Sequence, residues 1–117
     1  MKKILLVEDE KTLCLLYEEE LSKDGYAVTA VNDADAALEA LAAGQYDLII
    51  TDIRMPGKNG IELITQIMGQ RKDIPIIINS AYQSYKEDFM TWAADAYIVK
   101  SSSLDELKAK IRELIGD

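Results

Sequence analysis

Short apolar runs alternate with segments of helical period along the whole chain. The apolar runs predict strands at Ile4 to Val7, Ala27 to Val31, Leu48 to Thr51, Ile74 to Ile78 and Ala96 to Val99. Three of them are continuous Ile, Leu and Val without polar alternation, which suits strands covered by helices on both faces. The second carries Thr29 inside it and reads as an edge. Between strands, Leu13, Leu16, Tyr17 and Leu21 recur on one helical face, as do Ile61, Ile64, Ile67 and Met68, and again Leu104, Leu107, Ile111 and Leu114. These stripes predict core. Helix starts are expected where a capping oxygen stands three residues before a Glu: Asn59 with Glu62, Ser84 with Glu87, and Ser103 with Glu106. Such strict alternation predicts an α/β fold, a doubly wound five-stranded parallel sheet with five helices. In that architecture ligands bind beyond the carboxyl ends of the strands, at the point where the strand order reverses.

Composition narrows the chemistry. A chain of 117 residues holds one core, so a single domain over residues 1–117 is expected. A net charge of −8 repels phosphate backbones and anionic headgroups, which argues against direct nucleic-acid or membrane-surface binding. Cys14, the single cysteine, can form no internal disulfide. The apolar run behind Lys2 and Lys3 stops at Val7 before Glu8, too short for a secretory signal, so a cytoplasmic location is expected. No histidine is present, which excludes histidine-dependent nucleophilic catalysis and His-ligated zinc. Carboxylates must do most of any chemistry.

The residues that follow the strands are Glu8, Asp9 and Glu10 after the first, Asp52 after the third, Asn79 and Ser80 after the fourth, and Lys100 after the fifth. If the strand order is 2-1-3-4-5, Glu8, Asp9 and Asp52 converge. Two carboxylates about 4 Å apart repel by roughly 4 kcal/mol at an effective dielectric near 20. Three ionised together need raised pKa values or a cation, and the cation is the simpler solution. Oxygen donors without His or Cys favour Mg²⁺, with Mn²⁺ as the other candidate. Glu10 is explained by helix N-terminal charge alone. Lys100 supplies a counter-charge, and Ser80 is either a turn hydroxyl or a donor to a bound anion.

The segments Val7-Glu8-Asp9, Thr51-Asp52-Ile53-Arg54-Met55-Pro56 with Gly60, Ser80-Ala81 and Tyr97-Ile98-Val99-Lys100 resemble, in order and each at a strand end, the response-regulator receiver domain of two-component signalling. That resemblance implies a flavodoxin-like fold of strand order 2-1-3-4-5. It implies that Asp52 accepts a phosphoryl group from a phosphohistidine on a sensor histidine kinase or histidine phosphotransfer protein. Glu8, Asp9, Asp52 and the backbone carbonyl of Arg54 would hold Mg²⁺, Ser80 would bind a phosphoryl oxygen, and Lys100 would pair with Asp52 or the phosphoryl group. Arg54 and Tyr82 would tune phosphoryl lifetime. Tyr97 would move inward as a switch, remodelling the face of the fourth helix, fifth strand and fifth helix for an output protein. The implied function is a signalling switch of a phosphorelay that catalyses its own phosphorylation and slow dephosphorylation, and not an enzyme acting on another substrate.

Elementary chemistry agrees: a carboxylate can act as nucleophile toward phosphorus, and cationic groups must neutralise the equatorial oxygens. A receiver-shaped interaction module independent of phosphorylation is the alternative. It draws on Ser101, which stands where receivers place a proline joined by a cis bond; a cis bond to serine costs about 3–4 kcal/mol. Ala93 also replaces a frequent glycine. Tyr85, Phe89 and Trp92 fall near one helical face beside Tyr82, and Trp92 or Met90 is expected to be partly exposed on a partner or homodimer surface.

Overall fold

The computed structural model describes residues 1–52, 66, 74–80, 95–100 and 104–116. Within them lie β1 (Lys3–Val7), α1 (Lys11–Lys23), β2 (Ala27–Val31), α2 (Ala34–Ala43), β3 (Leu48–Thr51), β4 (Ile76–Ser80), β5 (Ala96–Val99) and α3 (Asp105–Ile115). All strand pairs are parallel, in the order β2-β1-β3-β4-β5, as the doubly wound reading expects. Here α3 is the last of the five helices the sequence predicts. Apart from the helical Gln66, the third and fourth predicted helices, with their Asn59 and Ser84 caps, Gly60, Met55, Pro56, Ala93 and the aromatic group from Tyr82 to Trp92, lie outside the described residues.

Period-two alternation distributes the strands between two layers. Leu5, Val7, Ile49, Ile76, Ile78 and Tyr97 face α2, where Ala34, Ala37 and Leu41 meet them. Ile4, Leu6, Leu48, Ile50, Ile77 and Ile98 face the opposite way, against Cys14, Tyr17 and Leu21 of α1 and Leu107 and Ile111 of α3. Both faces are thus buried, the reason the runs contain no polar alternation. β2 is the edge that Thr29 marks: its residues are half-buried and Thr29 is exposed. Ile77, in the inner strand β4, is fully buried. Ile77→Ala is expected to cost about 3 kcal/mol by removing buried methyl groups and leaving a cavity. Thermal unfolding followed by circular dichroism should show the melting temperature falling by about 10 °C or more.

Three sequence expectations are corrected. The fourth strand runs from Ile76 to Ser80 and not from Ile74 to Ile78. Pro75 has no N–H to give a ladder, and the true start is fixed by the Ile76 N–H, which donates to Asp95 Oδ2 at 2.8 Å. At the other end Asn79 and Ser80 remain in the ladder, opposite Ile98 and Val99. Leu16 is not on the buried stripe of α1. It is 44% exposed, while Cys14, Tyr17 and Leu21 form the stripe and Leu13 flanks it. At about 100° per residue Leu16 falls well over a quarter-turn away from that stripe's centre. Finally, α3 starts one residue beyond the expected Ser103 cap. Its N-cap is Leu104, with no side-chain cap, and Asp105 and Glu106 supply first-turn negative charge instead. Ser103 itself is outside the described residues.

Local chemistry fixes the ends of the other helices. Asp33 Oδ1 accepts the Ala36 N–H at 2.8 Å and caps α2. α1 ends at Lys23 with Asp24 as its C-cap, and Gly25 just beyond, with a φ of +95°, reverses the chain into β2 at no Cβ cost, its N–H donating to Ser22 O at 3.1 Å. Far along the sequence, the Tyr26 hydroxyl donates to Gly116 O at 2.9 Å, and Lys108 of α3 meets Glu20 at 3.2 Å and Asp24 at 3.5 Å. These contacts bind α3 and the residue after it to the α1–β2 corner. No helix among the described residues is long and apolar enough to cross a membrane.

Candidate functional site

The register places the site. Val7 of β1 stands opposite Thr51 of β3, so the next residues, Glu8 and Asp52, leave adjacent strands side by side. Glu8 is 2% exposed and Asp52 8%. The Glu8 N–H donates to Val31 O at 3.0 Å, and its carbonyl accepts from Asn32 Nδ2 at 3.0 Å, so the turn into α1 is tied to the end of β2. Asp52 O accepts from the Thr51 hydroxyl at 3.0 Å.

Lys100 follows β5, its N–H donating to Ser80 O at 2.7 Å. Its ammonium reaches back across the end of β4 to Asp52 Oδ2 at 2.8 Å and Glu8 Oε1 at 2.7 Å. Burial would lower the Lys100 pKa, but the hydrogen bonds and charges of Asp52 and Glu8 outweigh it and hold that pKa above the ordinary lysine value. Glu8 is pushed the opposite way from a usual paired carboxylate. Burial raises its pKa above the ordinary glutamate range, although Lys100 and the Glu10 N–H both pull it down.

One carboxylate oxygen each from Glu8, Asp9 and Asp52 lie within 4.8 Å of one another, two of the residues buried and Asp9 exposed. This all-oxygen set, open to solvent on the Asp9 side, fits a hard divalent cation that keeps part of its water. Among the described residues Lys100 brings one positive charge to three carboxylates, so the cluster has room for a second cation. Cys14 takes no part: burial foremost, then the charges of Glu18 and Glu8, push its thiol pKa up and keep it protonated.

A sequence-family model described as the response regulator receiver domain matches residues 4–112. The chain belongs to this family. A receiver is a signalling switch of two-component systems, and this receiver is 38% identical over 116 residues to the response regulator ArlR of Staphylococcus epidermidis. The match covers 98% of this chain and 53% of ArlR, so the receiver spans about half the length of the curated relatives it matches. Among solved structures, the response regulator TrrA of Thermotoga maritima in complex with Mg²⁺-BeF superposes with a TM-score of 0.92 at 44% identity, covering 97% of this chain and 99% of that one. TrrA in complex with the histidine kinase ThkA gives a TM-score of 0.91 at 43% identity, covering 98% and 99%.

Of the site residues expected from sequence, Glu8, Asp9, Asp52 and Lys100 of the receiver come together. Ser80 is fully buried at the end of β4. Tyr97 is 5% exposed in the α2-facing layer, opposite Ile78. Arg54 and Tyr82 lie outside the described residues, as does Ser101 and with it the Lys100–Ser101 bond. Asn32 was not anticipated. Its position directly after the second strand is the signal that marks it, since the polar residues after the other strands are the ones that build the site.

Proposed function

We propose that this receiver takes a phosphoryl group onto Asp52 from a phosphohistidine of a partner histidine kinase or phosphotransfer protein. The observation that carries the reading is the Lys100 ammonium, 2.8 Å from Asp52 and 2.7 Å from Glu8 at the mouth of a three-carboxylate cluster. Glu8, Asp9 and Asp52 would hold Mg²⁺, or Mn²⁺, with the Arg54 carbonyl added from the family pattern. When bound, the cation supplies positive charge beside the developing phosphoryl oxygens.

The chain's own residues do the rest. An Asp52 carboxylate oxygen attacks phosphorus, the P–N bond to the partner's imidazole breaks, and that nitrogen keeps the electron pair and is protonated. Lys100 stabilises the negative charge that Asp52 and the incoming group bring together. Ser80 offers its hydroxyl to a phosphoryl oxygen. Tyr97, three residues before Lys100 in the sequence, passes the change to the surface of the fourth predicted helix, β5 and α3, where an output protein or a second copy binds. Water later cleaves the acyl phosphate and returns Asp52. The receiver is read as a single domain over 1–117, working in the cytoplasm.

That TrrA was solved with Mg²⁺-BeF and with a histidine kinase supports the reading. Incubation with Mg²⁺ and acetyl phosphate, followed by intact-mass measurement, is expected to add one phosphoryl group, and excess chelator to prevent it. An unchanged mass in the presence of Mg²⁺ would turn the balance to the phosphorylation-independent module.

A further inference from the structure

We infer that Glu8 is the positioning residue for Lys100, and that this ion pair governs how readily the carboxylate cluster accepts a divalent cation. The second half rests on the proposed cation role of the cluster. The first stands on geometry alone.

Glu8 is held at every polar atom it has. Oε1 takes the Lys100 ammonium at 2.7 Å and Oε2 accepts the Glu10 N–H at 3.1 Å. Its backbone N–H and carbonyl are fixed by Val31 and Asn32 at the end of β2. Asp9 is the contrast: it is exposed and makes no hydrogen bond or ion pair among the described residues.

A lysine stem carries about 2 kcal/mol of rotamer entropy, so a single contact to Asp52 would hold it loosely. The second contact, to an immobile carboxylate, fixes the ammonium between the two acids. Asp52 takes the phosphoryl group on a carboxylate oxygen as the acyl phosphate forms; Glu8 does not react and keeps Oε1 for the ammonium. Lys100 therefore stays tethered at the mouth of the pocket while Asp52 reacts. The same pairing neutralises Glu8 internally, so less of its charge is available to an approaching cation.

Two measurements test this. In the metal-free wild type, the Lys100 ammonium should give an exchange-protected resonance in ¹⁵N-detected lysine spectra, assigned by its absence from Lys100→Met. Glu8→Gln, checked for folding by circular dichroism, should shift or abolish it. A resonance that ignores Glu8→Gln, or no protected resonance at all, overturns the tether whether or not metal binds.

Calorimetric titration with Mg²⁺ then closes a double-mutant cycle. Lys100→Met should tighten Mg²⁺ binding on the order of tenfold with Glu8 present, and by about fivefold less in the Glu8→Gln background. Equal gains in both backgrounds overturn the control of affinity. Failure of the wild type to bind Mg²⁺ overturns the cation reading and the second half with it, while the ammonium spectrum still decides the tether.

Discussion

Asp52→Asn is expected to gain no phosphoryl group from acetyl phosphate under conditions that modify the wild type. The amide keeps the size and leaves an oxygen where the carboxylate stood, but its nitrogen lone pair is delocalised and its oxygen carries no full charge. It is no nucleophile at neutral pH. Structural collapse is not expected to confuse the result. Lys100 retains Glu8 at 2.7 Å, and one of the mutually repelling carboxylates within 4.8 Å has been neutralised. Intact mass and a urea titration on the same samples separate the two effects. The predicted outcome is a loss of phosphorylation on the order of a hundredfold or more with unchanged or slightly raised stability. Equal modification of the variant would move the nucleophile to another residue.

Lys100→Met should be the most damaging single change at the site. It leaves Glu8, 2% exposed, and Asp52, 8% exposed, side by side without their shared ammonium. Removing one partner from a buried charge cluster costs about 3 kcal/mol or more. The deficit should depend on pH with a definite sign. Glu8 already has a pKa above its ordinary value because burial dominates, and losing the ammonium that pulls it down raises it further. A carboxyl raised in the folded state binds its proton more tightly folded than unfolded. Stability therefore falls as pH climbs from the ordinary glutamate pKa through the folded one.

The variant should sit closest to wild type at about pH 4.5, the ordinary glutamate value, and fall progressively further behind toward about pH 7.5. Lys100 works in the opposite sense in the wild type. Its raised pKa means that its contribution is complete at neutral pH and fades only above the ordinary lysine value, as pH rises through the folded one. Saturating Mg²⁺ should recover much of the neutral-pH deficit by binding the folded state. Urea unfolding at both pH values, with and without Mg²⁺, measures all of this. A variant as stable as wild type at neutral pH without metal would show that the two carboxylates are not charged together.

Much of this architecture could be read from the residues because the physics is local. Continuous Ile and Leu runs such as Ile49 and Ile50 specify strands covered on both faces, and Leu107 with Ile111 specifies the buried side of α3. Leu15 and Leu16 show where the pattern loses its discrimination. In a run of Leu, Cys, Leu, Leu and Tyr, apolar type no longer says which side faces inward, and the angle of the helix on the sheet decides. Asn79 and Ser80 show the converse, since polarity removed them from a strand whose ladder in fact holds them. Strand ends in this fold are where chemistry sits, so polar residues there belong to strand and site together.

At the site, the convergence of Glu8, Asp9, Asp52 and Lys100 followed from the strand order. The choice of Glu8 as a second partner for the ammonium did not. It depends on how far a side chain reaches across β4 toward β1, which spacing along the chain does not encode. Asn32 escaped for a similar reason. Its partner is a backbone carbonyl, and no side-chain pattern announces a backbone acceptor.

The contacts at the α1–β2 corner bear on the order in which the molecule assembles. Tyr26 and Gly116 are 90 positions apart, and Lys108 and Glu20 are 88 apart. Closing such long loops comes late in folding, because the chain entropy must be given up before the contact returns anything. A ribosome-bound chain can form β1, α1 and β2 early, but their corner waits for α3 to be synthesised. Tyr26→Phe should then leave the folding rate nearly unchanged and accelerate unfolding, marking this corner as the last part to lock and the first to release.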